Sequence, residues 1–117
     1  MNKNSSILNS SFVVREETSL KEAMAQISVN EHGTVIVVNN SGYVMGIASD
    51  GDIRRSIVKG ITTFAPISKV MNRNCIIVKN DKEESKNLCR ELFEKHPKIM
   101  IIPVVGEKNI LIDIIVR

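Results

Sequence analysis

The chain of 117 residues has no tryptophan, one tyrosine and three phenylalanines. Single-stranded nucleic acid is held largely by stacking bases on aromatic side chains, and this composition offers almost no platform for that. Charge points the same way: sixteen Lys and Arg against thirteen Asp and Glu leave only +3, with the cations scattered rather than gathered into a stripe. No nucleic-acid partner is expected. Long apolar runs are missing too. The longest, Ile99 to Val105 and Ile110 to Val116 with Asp113 inside it, fall far short of the ~20 residues that a membrane-spanning helix needs. No membrane partner is expected either. Met1 to Ser6 is rich in Asn and Ser and is followed by no apolar stretch with a small-residue cleavage site. A cytoplasmic location is the expectation.

Chemistry-bearing residues are equally sparse. The two cysteines, Cys75 in a strand-like run and Cys89 on a helix-like face, read as reduced core thiols rather than a disulfide. The two histidines, His32 and His96, stand beside Gly33 and Pro97 and belong to no set with metal-ligand spacing and no nucleophile–base pair. Neither a Gly-rich phosphate loop nor a paired catalytic carboxylate appears. No catalysis, metal or required cofactor is therefore expected of this chain. What is present is ample material for a core: 43% of residues are apolar, 25% are charged and the mean hydropathy is +0.00, the balance of a globular domain.

Periodicity divides the chain into two similar halves. A short β-type run at Phe12 to Val14 precedes Ser19, which with Glu22 forms a capping box for a helix whose apolar residues Leu20, Ala23, Met24 and Ile27 recur at i, i+3, i+4 and i+7. The β-branched run Thr34 to Asn39, the turn Asn40-Ser41-Gly42 and the return strand Tyr43 to Ala48 predict a hairpin. A helix then runs from Ser49 through Ile53 and Ile57 to a stop at Gly60. From Ile61 to Met71 the chain reads as a linker in which Pro66 opens one short turn. The order then recurs. A strand at Cys75 to Val78 is followed by a second capping box at Asp81 and Glu84 and a helix with Leu88, Cys89, Leu92 and Phe93 on its apolar face. A second hairpin follows, Ile99 to Val105 and Ile110 to Val116 about the turn Gly106 to Asn109.

Overlaying the halves at an offset of about 65 positions places Val37-Val38 on Val104-Val105 and Gly46-Ile47-Ala48-Ser49 on Asp113-Ile114-Ile115-Val116. The expected organisation is an α/β (α+β) module of two β-α-β-β-α repeats, residues 1–62 and 63–117, with the second stopping before its last helix. A hairpin face without the helix that covers its twin predicts either a partner or a further stretch of chain.

A duplicated unit of this length, with Gly46-Ile47-Ala48-Ser49-Asp50-Gly51-Asp52 closing its hairpin, resembles the cystathionine-β-synthase-type (CBS) domain pair, or Bateman module. Thr34 to Val38, Val70-Met71-Asn72 and Ile102-Pro103-Val104-Val105 add to the likeness. The run Ser49 to Arg55 followed by Val70 to Asn74 is similar to CBS pairs fused ahead of sugar-phosphate nucleotidyltransferases. The resemblance implies a regulatory module with an adenine nucleotide (AMP, ADP or ATP) as ligand. It also implies a homodimer and a covalently attached catalytic domain.

The residues themselves offer a site. A ribose diol donates two hydrogen bonds that one carboxylate can accept, and Asp52 with Ser49 three residues earlier would project together from the first turn of a helix. Unpaired N–H groups there favour phosphate. The same two residues are equally what an N-cap and an acidic third position require with no ligand at all. Gly46 would permit close approach by a ligand or by a neighbouring backbone. Ile47 and Gly51 are also expected to contact the nucleotide, while Arg54 and Arg55 either reach phosphates or face solvent. From the resemblance, Asn74 to Ile76 and Ile99-Met100 would line the other side; the aliphatic Ile76, Ile99 and Met100 could sandwich an adenine or simply be core. In the second repeat Asp113 stands in place of the signature Gly and Val116 in place of Ser or Thr, so at most one nucleotide per chain is expected. The rival expectation is a ligand-free dimerisation platform whose Leu20, Met24, Leu88 and Leu92 pack against a twin.

Overall fold

The computed structural model describes residues 3–80 and 82–117. Asp81, which heads the expected second capping box with Glu84, falls outside them. The elements are α1 (Lys3–Leu8), β1 (Val13–Arg15), α2 (Leu20–Asn30), β2 (Thr34–Val38), β3 (Val44–Ser49), α3 (Asp50–Val58), β4 (Val78–Lys79), α4 (Lys82–Lys95), β5 (Ile101–Val105) and β6 (Leu111–Val116). Short 3-10 turns occupy Ile67–Lys69 and Glu107–Asn109.

They build two three-stranded sheets of identical topology, β1-β2-β3 and β4-β5-β6. In each, the first pair is parallel and the second antiparallel. Each hairpin also carries one irregularity at the same place, between Val37 and Val38 and between Val104 and Val105. Val37 pairs with Gly46 as Val104 pairs with Asp113, and Thr34 with Ser49 as Ile101 with Val116. The mixed α and β fold read from the sequence is thus the observed one, down to the pairing of its hairpins.

Hydrophobic burial explains how the layers stack. All five residues of β2 are buried because its two faces look into different cores. Val35 and Val37 pack under α2 and α3 with Leu20, Ala23 and Ile53. Ile36 and Val38 turn the other way and meet Ile101 and Leu111 of the second sheet. Strand β5 repeats this two-sidedness, giving Ile101 to the shared inter-sheet core and Ile102 to a smaller cluster with Val78 and Cys89 beneath α4. A run apolar at every position is what a strand covered on both faces requires. The sheets also touch end to end, since the Leu111 N–H donates to the Gly42 carbonyl at 3.0 Å.

Several details differ from the sequence reading, each for a local reason. Residues 3–8 form a helix that was not expected; it packs against β6, and Ile7 and Leu8 join the inter-sheet core. The run from Cys75 yields strand only at Val78–Lys79, because the Asn72 side chain accepts from the Asn74 N–H at 3.0 Å and turns the chain first. Of the Ser19–Glu22 box the Ser19 half is formed, its hydroxyl accepting from the Glu22 N–H at 3.1 Å. Leu88 is exposed, so the buried stripe of α4 runs through Cys89 with Leu92 and Phe93 partly covered. Leu20, expected to face a twin, is 0% exposed inside the first repeat and reaches no partner surface.

The linker is strapped to the first repeat. Its Ala65 and Thr63 carbonyls accept from the Leu20 and Lys21 N–H groups at the start of α2, and Ile67 is fully buried. At the other end Arg117 ties β6 to α4. Its guanidinium donates to the Phe93, His96 and Ile99 carbonyls at 2.6, 2.7 and 2.8 Å and lies 4.9 Å from the Phe93 ring centroid. A cation at a helix C-terminus satisfies carbonyls that the helix itself leaves unpaired.

Candidate functional site

Ser49 ends β3 and caps α3. Its hydroxyl accepts from the Asp52 N–H at 3.0 Å, and Asp52 Oδ2 accepts from the Ser49 N–H at 3.0 Å, a complete capping box. The other carboxylate oxygen, Oδ1, accepts from Arg55 Nη2 at 2.8 Å. Arg54 Nη2 lies 2.8 Å from Asp50 Oδ2. Both arginines are mostly exposed and paired to carboxylates one turn away. The Ser49 O–H proton and the second lone pairs of the Asp52 oxygens remain for a ligand.

Sheet alternation locates this corner. Ser49 lies two residues beyond Ile47, which packs into the inter-sheet core with Ile36 and Ile101. Thr34, directly across from Ser49, lies two residues before Ile36 on the same face. Ser49 and Thr34, the latter buried, therefore form a polar rung at the end of the packed interface between the two sheets. In the second repeat the corresponding rung is Ile101 with Val116, both aliphatic. The asymmetry expected from Val116 is therefore sharper than the sequence reading held, since two polar positions, not one, are replaced.

The surroundings of the rung come from residues the sequence reading passed over. The Asp50 N–H donates to the Gly33 carbonyl at 2.8 Å, fastening the start of α3 to the start of β2. Buried Asn30 donates from Nδ2 to the Ser11 and Thr34 carbonyls at 3.1 and 3.0 Å, and its Oδ1 accepts from the His32 N–H at 2.8 Å. The His32 ring sits 5.4 Å, centroid to centroid, from that of Phe12. One side chain thus clamps the entry of β1, the entry of β2 and the backbone of His32, whose ring is tilted 58° to that of Phe12. Thr34 faces Ser49 only because of the bulge between Val37 and Val38, and nothing short of the fold brings Phe12 to His32.

The remaining expected residues are placed elsewhere. Gly46 makes its close approach to backbone: a Cβ there would lie 2.7 Å from the Asn72 carbonyl oxygen. Asn72 exchanges two backbone hydrogen bonds with Ile47, at 2.7 and 3.1 Å. This bridge is antiparallel, so beyond Asn72 the chain heads away from Ser49. Asn74 is exposed in the turn that follows, and Ile76 is half-buried. Ile99 packs in the second repeat's own core, and the Met100 carbonyl accepts from the Arg117 N–H at 2.9 Å. Gly51 lies under the Arg55 guanidinium. A groove of about 410 Å³ beside it is lined by Gly51, Arg54, Arg55, Val58 and Lys59.

Burial pushes the thiols of Cys75 and Cys89 above their ordinary value, and the nearby Asp113 carboxylate raises Cys89 further. Neither is a poised nucleophile. Among the described residues no group of three or more His, Cys, Asp or Glu is placed to hold a metal ion, and no helix is long and apolar enough to cross a membrane.

Comparison with known proteins agrees with the fold. Residues 5–59 match the family model of the CBS domain. A CBS domain protein from Pyrobaculum aerophilum complexed with AMP superposes with a TM-score of 0.73 and 15% identity, over 99% of this chain and 87% of that one. A CBS domain pair in complex with 5′-methylthioadenosine and S-adenosyl-L-methionine gives 0.70 and 20% identity, over 90% and 80%. Among sequences, an uncharacterised protein of Helicobacter pylori is 29% identical over 105 residues, 88% of this chain and 31% of that protein. The arabinose 5-phosphate isomerase GutQ of Salmonella typhi is 34% identical over 93 residues, 79% of this chain and 28% of the isomerase. The chain spans under a third of the length of these curated relatives.

Proposed function

We propose, for a chain that carries a CBS domain at residues 5–59 and has the fold of a CBS pair, that it is a regulatory module binding one adenine nucleotide at the Ser49 and Asp52 end of the inter-sheet interface. The observation that carries this reading is the asymmetry of the two rungs. Thr34 with Ser49, backed by Asp52, is polar where Ile101 with Val116 is aliphatic. A diol-binding corner in one repeat only agrees with a single nucleotide per chain. AMP and S-adenosyl-L-methionine named with the two structural neighbours support an adenosine-type ligand.

The bound nucleotide regulates a catalytic domain attached in the parent protein. GutQ supports a sugar-phosphate enzyme for that domain; the nucleotidyltransferase suggested by the Ser49 to Asn74 likeness is the narrower form of the proposal. Regulation requires unequal affinity for two states of the module, and a hundredfold preference shifts their balance by about 2.7 kcal/mol. Thermal unfolding with AMP, ADP, ATP and S-adenosyl-L-methionine tests the reading. At least one should raise the midpoint, and Asp52→Ala should remove that gain. No stabilisation by any of the four refutes it.

A second reading, a dimerisation platform, is favoured by Val29 on α2 and Val58 on α3, which are 69% and 83% exposed on two helices that pack together. Such apolar exposure on one helical layer suits an isologous contact with a second copy. Light scattering showing a monomer at high micromolar concentration would remove it.

A further inference from the structure

The Arg55 guanidinium folds back toward the first turn of α3. It lies so close over Gly51 that a Cβ there would meet its Nη1 at 3.0 Å, and its Nη2 holds Asp52 Oδ1 at 2.8 Å. With Oδ2 taken by the Ser49 N–H, both carboxylate oxygens are engaged. The carboxylate cannot present its best geometry to two sugar hydroxyls while Arg55 stays. The pose is weakly held: the side chains are 67% and 31% exposed, and a cation at the N-terminal end of a helix opposes its dipole. Alongside, the groove lined by Gly51, Arg54, Val58 and Lys59 leaves room for the guanidinium to move.

We infer that Arg55 is a two-position specificity residue, closed on Asp52 in the empty site and transferred to a phosphate when a phosphorylated nucleoside takes the carboxylate. The inference rests on the nucleotide reading above. A nucleoside without phosphate must expel Arg55 into water with no compensating contact. A nucleotide offers the displaced guanidinium a bidentate anion beside a helix N-terminus that itself favours phosphate. Arg54 is not in the same position, because its partner Asp50 is not the carboxylate that the sugar contests.

Calorimetric titration of AMP and of adenosine into wild type, Arg55→Gln and Arg54→Gln at fixed ionic strength tests this. Arg55→Gln should weaken AMP about tenfold through loss of a charge-assisted contact and tighten adenosine about twofold through loss of a surface ion pair. Arg54→Gln should leave the ratio of the two affinities unchanged. If wild type binds AMP and Arg55→Gln alters both ligands by one common factor, or neither, the two-position role is overturned and the nucleotide reading stands. If wild type binds neither at millimolar concentration, both fall.

Discussion

Replacing Gly46 with alanine should destabilise the chain although its backbone conformation suits any residue. The added methyl would lie 2.7 Å from the Asn72 carbonyl oxygen, 3.2 Å from its carbon and 3.2 Å from Met71 Cγ. Two of these contacts are backbone, so relief requires the linker to move, and the linker holds Ile47 through hydrogen bonds of 2.7 and 3.1 Å. Weakening both costs about 1–3 kcal/mol, and steric displacement adds about 1 kcal/mol. The narrower conformational range of alanine in the unfolded chain returns about 0.5 kcal/mol. The net, about 1.5–3.5 kcal/mol, corresponds to a fall of roughly 10 °C in Tm for a domain of this size. Differential scanning calorimetry reads it directly. The second repeat provides an internal comparison, since Asp113 occupies the equivalent rung with a full side chain that is exposed. An unchanged or raised Tm for Gly46→Ala would refute the reasoning that the linker's backbone contact demands glycine.

Two further outcomes follow from buried groups. Asn30→Ala removes three hydrogen bonds to the Ser11 and Thr34 carbonyls and the His32 N–H. It should cost about 2–4 kcal/mol in urea unfolding, and a loss below about 0.5 kcal/mol contradicts the clamp. The raised thiols of Cys75 and Cys89 are acids held neutral by folding. Their contribution is therefore complete below the ordinary thiol value of 9.0 and is lost as pH rises above it. Stability measured from pH 8 to 10.5 should decline, and Cys89→Ala should flatten the decline; an equal slope in that variant contradicts burial of a neutral thiol.

How far the sequence revealed this molecule depended on whether the signal was local. The apolar spacing of Leu20, Ala23 and Ile27 and the β-branched run of β2 identify their elements because burial imposes the period. The helix at residues 3–8 gives no such signal. Six residues cannot hold a helix alone, and its existence depends on β6 at the far end of the chain. The strand expected from Cys75 was shortened by a side-chain turn at Asn72 that competes with extended pairing. At the candidate site Ser49 and Asp52 were legible as a cap, and the cap is formed. Thr34 was not, because its place across from Ser49 depends on a bulge that shifts the register by one. Asn30 reaches Ser11, and Phe12 reaches His32, only through tertiary folding.

The proposed nucleotide corner, with its polar rung, belongs to one repeat alone. Amide chemical-shift mapping on addition of AMP addresses it most directly. Perturbations should centre on Thr34, Ser49 and Asp52, with Ile101 and Val116 silent. Equal shifts at both rungs, or shifts confined to the outer surface of α2 and α3, would contradict this assignment.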